Sequence, residues 1–99
     1  MRVRLLDQAK ADLLELGQYY REVGGDVLAR KMIARIKQPV LSLKDMPEVG
    51  VPYELAPGMR RLVVAGGIFL VFYRVCTDVE VLHIRRAERS PATMDDFEL

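Results

Sequence analysis

The second half of this chain, from Gly58 to Ser90, leaves few folds open. Three runs rich in β-branched and aromatic residues, Leu62 to Ala65, Ile68 to Val75 and Val79 to Ile84, are separated only by Gly66-Gly67 and by Cys76-Thr77-Asp78. Connections that short join antiparallel neighbours, so the segment predicts a three-stranded meander. Its last strand runs into His83-Ile84-Arg85-Arg86-Ala87-Glu88-Arg89, an imidazole and three guanidiniums of the kind that address phosphates or carboxylates. Function is expected at that end of the sheet.

The first half must supply the cover. Val3 to Leu6 reads as a short strand that has to join the meander, because an isolated strand leaves its backbone groups unpaired. After Asp7 as N-cap, Ala9, Leu13, Leu16, Tyr20 and Val23 recur at helical spacing until Gly24-Gly25. Asp26 caps a second helix, on which Ala29, Met32, Ile33, Ile36, Val40 and Leu43 make the apolar stripe. The pair forms an αα-hairpin. Pro39 predicts a kink near Ile36 or a break, since a proline inside a helix costs about 3 kcal/mol. Pro47, Gly50, Pro52, Pro57 and Gly58 mark a long loop, a candidate for ordering on a partner.

Ser90 and Pro91 suit the start of a short C-terminal helix over 91–97. The fold class is therefore α+β, in the order β-α-α-β-β-β, with a helical hairpin packed on one face of a small, mainly antiparallel sheet. A chain of 99 residues carries one core, so residues 1–99 form a single domain. The opposite sheet face is expected to stay uncovered, with Phe69, Val71, Tyr73 or their alternating neighbours offering apolar area to a partner.

Composition removes several classes. The longest apolar run, Ile68 to Tyr73, is far short of a membrane span, and Met1-Arg2-Val3-Arg4 enters a strand without a secretory pattern. One cysteine, Cys76, cannot make an internal disulfide, so the expectation is a cytoplasmic chain with no membrane partner. Cys76 reads as a turn-edge residue. One histidine and one cysteine do not make a zinc site, Asp95 and Asp96 alone do not make a magnesium site, and Gly66-Gly67 is not followed by a helix. No metal or cofactor is expected. Lys31, Arg35 and Lys37 with Glu22 and Asp26 read as a solvated helix face. Over 59–89 six arginines stand against three carboxylates, and Asp95, Asp96 and Glu98 follow. That acidic tail can fold back over its own guanidiniums or leave them to an anionic partner.

Five pieces occur in a telling order: Ala9-Lys10-Ala11-Asp12-Leu13; Leu43-x-x-Met46-Pro47-x-x-Gly50; Gly58-Met59-Arg60-Arg61-Leu62; Leu70-Val71-Phe72-Tyr73-Arg74-Val75; and Val79-x-Val81-Leu82-His83-Ile84-Arg85-Arg86. Over nearly the whole chain this series resembles the RelE/ParE superfamily of type II toxin-antitoxin systems. The resemblance implies one of two activities. RelE-like toxins are ribosome-dependent mRNA endonucleases; ParE-like toxins inhibit DNA gyrase and arrest replication without a nuclease centre. Phe69 or Leu70, Ala87 and Thr93 stand where a nuclease is expected to carry arginine, arginine and tyrosine, so the chain resembles the ParE-like branch more closely, with no catalytic residue. A third reading is an inactive module that only binds antitoxin.

The resemblance also implies a cognate antitoxin that wraps the domain with a helix and extended segments, and contact with operator DNA only through that antitoxin. The residues expected to meet the target are His83, Arg85 and Arg60 or Arg61 as an exposed set, with Arg86 under the helices or paired with a tail carboxylate, and Arg89 beside them. Those expected to meet the antitoxin are Leu13, Leu14, Tyr20, Pro47, Tyr53, Phe69 and Tyr73.

Overall fold

The computed structural model of the chain describes residues 1–88 and Phe97. Its elements are β1 (Val3–Leu5), α1 (Asp7–Leu41), β2 (Val51–Pro52), β3 (Arg60–Val64), β4 (Phe69–Val75) and β5 (Val79–Arg86), with 3-10 turns at Ser42–Lys44 and Ala65–Gly67. The strands make one sheet in the order β1-β5-β4-β3-β2. The meander β3-β4-β5 is antiparallel as expected, and β1 joins it parallel to β5, with Val3 opposite Val79. The α+β class and the expected element order hold, with β2 added from within the long loop. Glu80 stitches the strands at one end, bonding Arg74 on β4 at 2.6 Å and Arg4 on β1 at 3.6 Å.

The helical hairpin is present, although its hydrogen-bonded segments abut without a loop. Thirty-five residues of straight helix would extend about 52 Å, but the longest dimension of the molecule is 37 Å. The chain folds back at Gly25, whose φ of 86° and ψ of 179° lie in a region essentially reserved for glycine. Arg21 and Asp26 close the tip with a 2.9 Å ion pair. Gly17 lets the arms approach, since a Cβ there would lie 3.9 Å from Cγ1 of Ile33. Val23, last in the first apolar stripe, is exposed at this tip.

Two helix expectations are corrected. Asp7 is the first helical residue, not the cap; Leu6 takes the N-cap position without a side-chain bond, so the Asp7 carboxylate acts on the helix dipole instead. Pro39 produces neither a break nor a dihedral departure near Ile36, and helical geometry continues to Leu41. Pro39 lies in the final turn, so its missing N–H removes one bond, that to the Arg35 carbonyl, and too little helix follows for a kink to show.

The hairpin covers one sheet face. Ala9, Met32, Ile36, Val40 and Leu43 meet Phe69, Val71 and Tyr73 of β4 and Val79, Val81 and Ile84 of β5. Each large aliphatic chain buried there contributes about 1.5–3 kcal/mol. Phe69, Val71 and Tyr73 are therefore fully buried beneath the helices, not spread on an open face. The Tyr73 hydroxyl donates to the Pro47 carbonyl at 2.7 Å and accepts the Gly50 N–H at 2.9 Å, which pins the start of the long loop. Gly50 must be glycine, because a Cβ would come within 2.7 Å of that hydroxyl.

The face away from the helices is not open either. Tyr53 N–H donates to the Met59 carbonyl at 2.9 Å, and Ala56 and Met59 donate within the same turn, so residues 53–59 form a compact roof bonded to itself rather than awaiting a partner. Ala56, Met59 and Phe97 pack there on Phe72 and Leu82, with Tyr53, Leu6 and Leu70 at the margin. Among the described residues no helix is long and apolar enough to cross a membrane. The acidic tail residues Asp95, Asp96 and Glu98, the expected helix over 91–97 apart from Phe97, and Arg89 lie outside the described residues.

Candidate functional site

One irregularity decides which basic residues come together. In the β4–β5 ladder Phe72 pairs with His83 but Tyr73 pairs with Val81, so Leu82 is an extra residue. Such a bulge reverses the inward and outward alternation beyond it. Val79 and Val81 face the helices; after the bulge Ile84 and Arg86 do, while His83 and Arg85 turn to the roofed face. Simple alternation would put Val81, His83 and Arg85 on one face, and the bulge separates Val81 from the other two. Arg61 on β3 pairs with Phe72, which pairs with His83, giving a cross-strand row of guanidinium, phenyl ring and imidazole. Leu70 pairs with Arg85 one step along the same face.

This set is covered, contrary to the expectation that it would be exposed. His83 is 8% and Arg85 7% accessible. The cause is the roof: Phe97 lies 5.1 Å from Phe72, 6.2 Å from the His83 ring and 6.4 Å from Tyr53, centroid to centroid. Tyr53 also carries the Arg61 guanidinium 6.0 Å from its ring centroid.

His83 is held from behind by a residue that strand patterning does not reveal. Its Nδ1 lies 2.8 Å from Oδ2 of Asp12 on α1; that oxygen also accepts the Ile84 N–H at 2.9 Å, and Oδ1 accepts from Gln8 Nε2 at 2.8 Å. Pairing of β1 with β5 stops at Val81, so the Asp12 carboxylate takes the place of a neighbouring strand for Ile84. Burial on its own would raise the Asp12 pKa and is the largest single influence. The hydrogen bonds from His83, Ile84 and Gln8, with the nearby His83, together outweigh it and hold the carboxyl below its ordinary value of 3.8. An ionised carboxylate only accepts, so Nδ1 carries the hydrogen and Nε2 faces the roofed side. Among the described residues, Nε2 of His83 and Nε of Arg61 are buried without a hydrogen-bond partner.

The other basic residues are elsewhere. Arg60 donates to the Gly50 carbonyl at 2.7 Å and the Glu48 carbonyl at 3.3 Å, joining the Tyr73 pin. Arg86 lies on the helix side, as expected, with its guanidinium 4.3 Å over the Tyr19 ring and 3.3 Å from Glu88. Asp12 and Phe97 are the site residues that pattern reading missed. Asp12 had a signal, since it falls within the apolar stripe between Ala9 and Leu16; Phe97 had none.

A second surface lies on the outer side of the hairpin. A groove of about 1020 Å³ runs between the arms, floored by Leu5, Leu13, Leu14, Gly17, Ala29, Ile33 and Ala34 and edged by Lys10, Arg21, Arg30 and Lys37. Its lining includes no carboxylate, and Leu14 is 73% exposed. Of the residues expected to meet an antitoxin, Leu13 and Leu14 line this groove. Tyr20 packs edge-on against Phe69, Pro47 belongs to the Tyr73 pin and Tyr53 to the roof. Phe69 and Tyr73 have no accessible surface to offer, being the centre of the helix-side core.

Comparison with known proteins addresses the whole architecture. The sequence profile described as "ParE toxin of type II toxin-antitoxin system, parDE" matches residues 3–91. The "Putative toxin Y4kP" of Sinorhizobium fredii is 33% identical over 88 residues, covering 89% of this chain and 90% of that protein. A chain from the solved structure "Chromosomal ParDE TA system from P. aeruginosa" superposes with a TM-score of 0.79 at 28% identity, covering 89% of this chain and 97% of that one.

Proposed function

Because the chain belongs to the ParE family of toxins of type II toxin-antitoxin systems, we propose that it arrests replication by binding DNA gyrase in the cytoplasm, without catalysing a reaction, until an antitoxin covers it. The reading of the target side rests on Arg61, His83 and Arg85, which share the roofed face of the sheet, while Arg60 and Arg86 lie on its helix side and Arg89 lies outside the described residues. The observation that carries the partner reading is the groove between the helix arms. An apolar floor edged by Lys10, Arg30 and Lys37, with Arg21 held by Asp26 at the hairpin tip, fits an amphipathic helix whose polar flanks are acidic. Operator DNA is reached through the antitoxin.

The burial of His83 supports inhibition over nuclease action, because a general base must come within hydrogen-bond reach of the hydroxyl it deprotonates, and here rings cover it. One observation favours the RelE-like reading: the imidazole is oriented by Asp12 as a base would be. The two are separated by assaying the purified chain for inhibition of gyrase supercoiling in parallel with ribosome-dependent mRNA cleavage. Supercoiling is expected to be inhibited and mRNA to stay intact. Cleavage at codon-defined positions that His83→Ala abolishes would replace this reading with the nuclease.

A further inference from the structure

The second arm of the hairpin carries a charge imbalance that the chain does not correct. Between Asp26 and Asp45 stand Arg30, Lys31, Arg35, Lys37 and Lys44 with no carboxylate among them, and all five are exposed. Glu22 and Asp26, the carboxylates expected to balance this face, do not: Arg21 holds Asp26 at 2.9 Å, and among the described residues Glu22 joins no ion pair. Elsewhere arginines are tied to carboxylates, Arg4 and Arg74 to Glu80 and Arg86 to Glu88. Among the described residues the five cations of this arm have no such partner. Lys31 and Arg35, four residues apart on an exposed helix surface, also repel one another, a local cost with no return inside the fold. The compensating anion is to be sought outside the chain.

Helical spacing sorts four of these charges into two rows. At about 100° per residue, Lys31 and Arg35 fall on one flank of the arm and Arg30 and Lys37 on the other, roughly 130° away, with Val27, Ala34 and Leu41 between them. Met32, Ile36 and Val40 point the opposite way into the core, so the ridge and both rows face outward. On a helix about 10–12 Å across, the rows stand about 10 Å apart before their side chains extend. The phosphate walls of the B-DNA major groove are separated by about 12 Å.

We propose that the second arm binds the phosphate backbone of duplex DNA directly, one cationic row to each strand, without reading sequence. Phosphate contacts position a protein but carry no sequence information, so operator recognition stays with the antitoxin. An anionic membrane is the poorer fit. An interfacial helix inserts an apolar face, whereas this arm spends its apolar face on the sheet and leaves outward only Val27 and Leu41, about 21 Å apart, beside the small Ala34. The deep, narrow major groove of A-form RNA does not match the spacing of the rows.

The test is fluorescence anisotropy of the purified full-length chain with a short labelled DNA duplex, from about 50 to 200 mM salt. Four phosphate contacts give a plot of log binding constant against log salt with a slope of about −3.6, a loss of roughly 100-fold over that range. Removing either row, by Lys31→Gln with Arg35→Gln or by Arg30→Gln with Lys37→Gln, should halve the slope to about −1.8. Glutamine is nearly as good a helix former as the residues it replaces, so these exposed changes leave the fold intact. Arg2→Gln takes a cation from outside the arm and should leave the slope unchanged. A duplex of scrambled sequence should bind equally. A wild-type slope shallower than about −2, a slope that survives removal of either row, or a preference between the two duplexes overturns the proposal. So does binding of a double-stranded RNA, or of phosphatidylglycerol vesicles, as tight as that of DNA. Gyrase and antitoxin are absent from this titration, so its failure leaves the gyrase reading standing, and failure of the supercoiling assay leaves this one.

Discussion

The two faces of the sheet are built on different principles. The helix side is an aliphatic and aromatic core in which Ile36, Leu43, Phe69 and Val71 have no accessible surface, and its buried hydroxyl, that of Tyr73, both donates and accepts. The roofed side is smaller and mixes Phe72, Leu82 and Phe97 with an imidazole and guanidiniums, two of whose nitrogens lack partners. A core under selection for stability alone is not expected to retain such atoms, because each buried unmade hydrogen bond costs about 1–3 kcal/mol. The contrast separates a face that holds the molecule together from one that keeps chemical potential in reserve.

Substitutions that bear on this contrast can be ranked. Ile36→Ala should destabilise the chain most, by about 4 kcal/mol, through lost burial and a cavity between helix and sheet; chemical denaturation measures it, and a loss under about 1 kcal/mol would deny the helix side its role. Asp12→Ala should cost about 3 kcal/mol, because it strips His83 and the Ile84 N–H of their shared acceptor. The Asp12 pKa is lower folded than unfolded, so its contribution is complete above the ordinary value of 3.8 and is lost as pH falls below it. A wild-type advantage over Asp12→Ala that does not shrink on acidification through that range would contradict the assignment.

How far the sequence foretold these two faces differs in an instructive way. The helix side was legible because its stripe from Ala29 to Leu43 and the apolar runs of β4 and β5 have the periods of helix and strand. The hairpin turn was legible from Gly24-Gly25. The roofed side was not, because everything that builds it is non-local: a one-residue bulge at Leu82 that no residue type announces, a carboxylate from α1 standing in for a strand, and a ring from the far end of the chain. Alternation predicted correctly that Arg85 and Arg86 part company, yet the exposure of His83 and Arg85 was misjudged because the loop over 53–59 folds on itself as a roof.

Two smaller effects complete the ranking. Phe97→Ala should cost only about 1.5 kcal/mol, below the usual range for a buried phenylalanine, since the ring roofs a mixed face rather than filling a close-packed core. A thermal melt showing a loss comparable to that of Ile36→Ala would make the two faces equivalent and erase the contrast. Leu14→Asp should change stability by less than about 0.5 kcal/mol, being exposed, while weakening antitoxin binding. Calorimetry showing unchanged affinity would remove the groove from the partner interface.

The parallel pairing of β1 with β5 has a consequence in time. Val79 is made 76 residues after its partner Val3. At ordinary elongation rates roughly 4 to 15 s separate their synthesis. Throughout that interval the nascent chain can form its helical hairpin but cannot close its sheet, because the central strand of the β1-β5-β4 trio does not yet exist. Completion of the fold is thereby tied to synthesis of β5, and a chain cut short before residue 79 lacks the strand that carries His83 and Arg85.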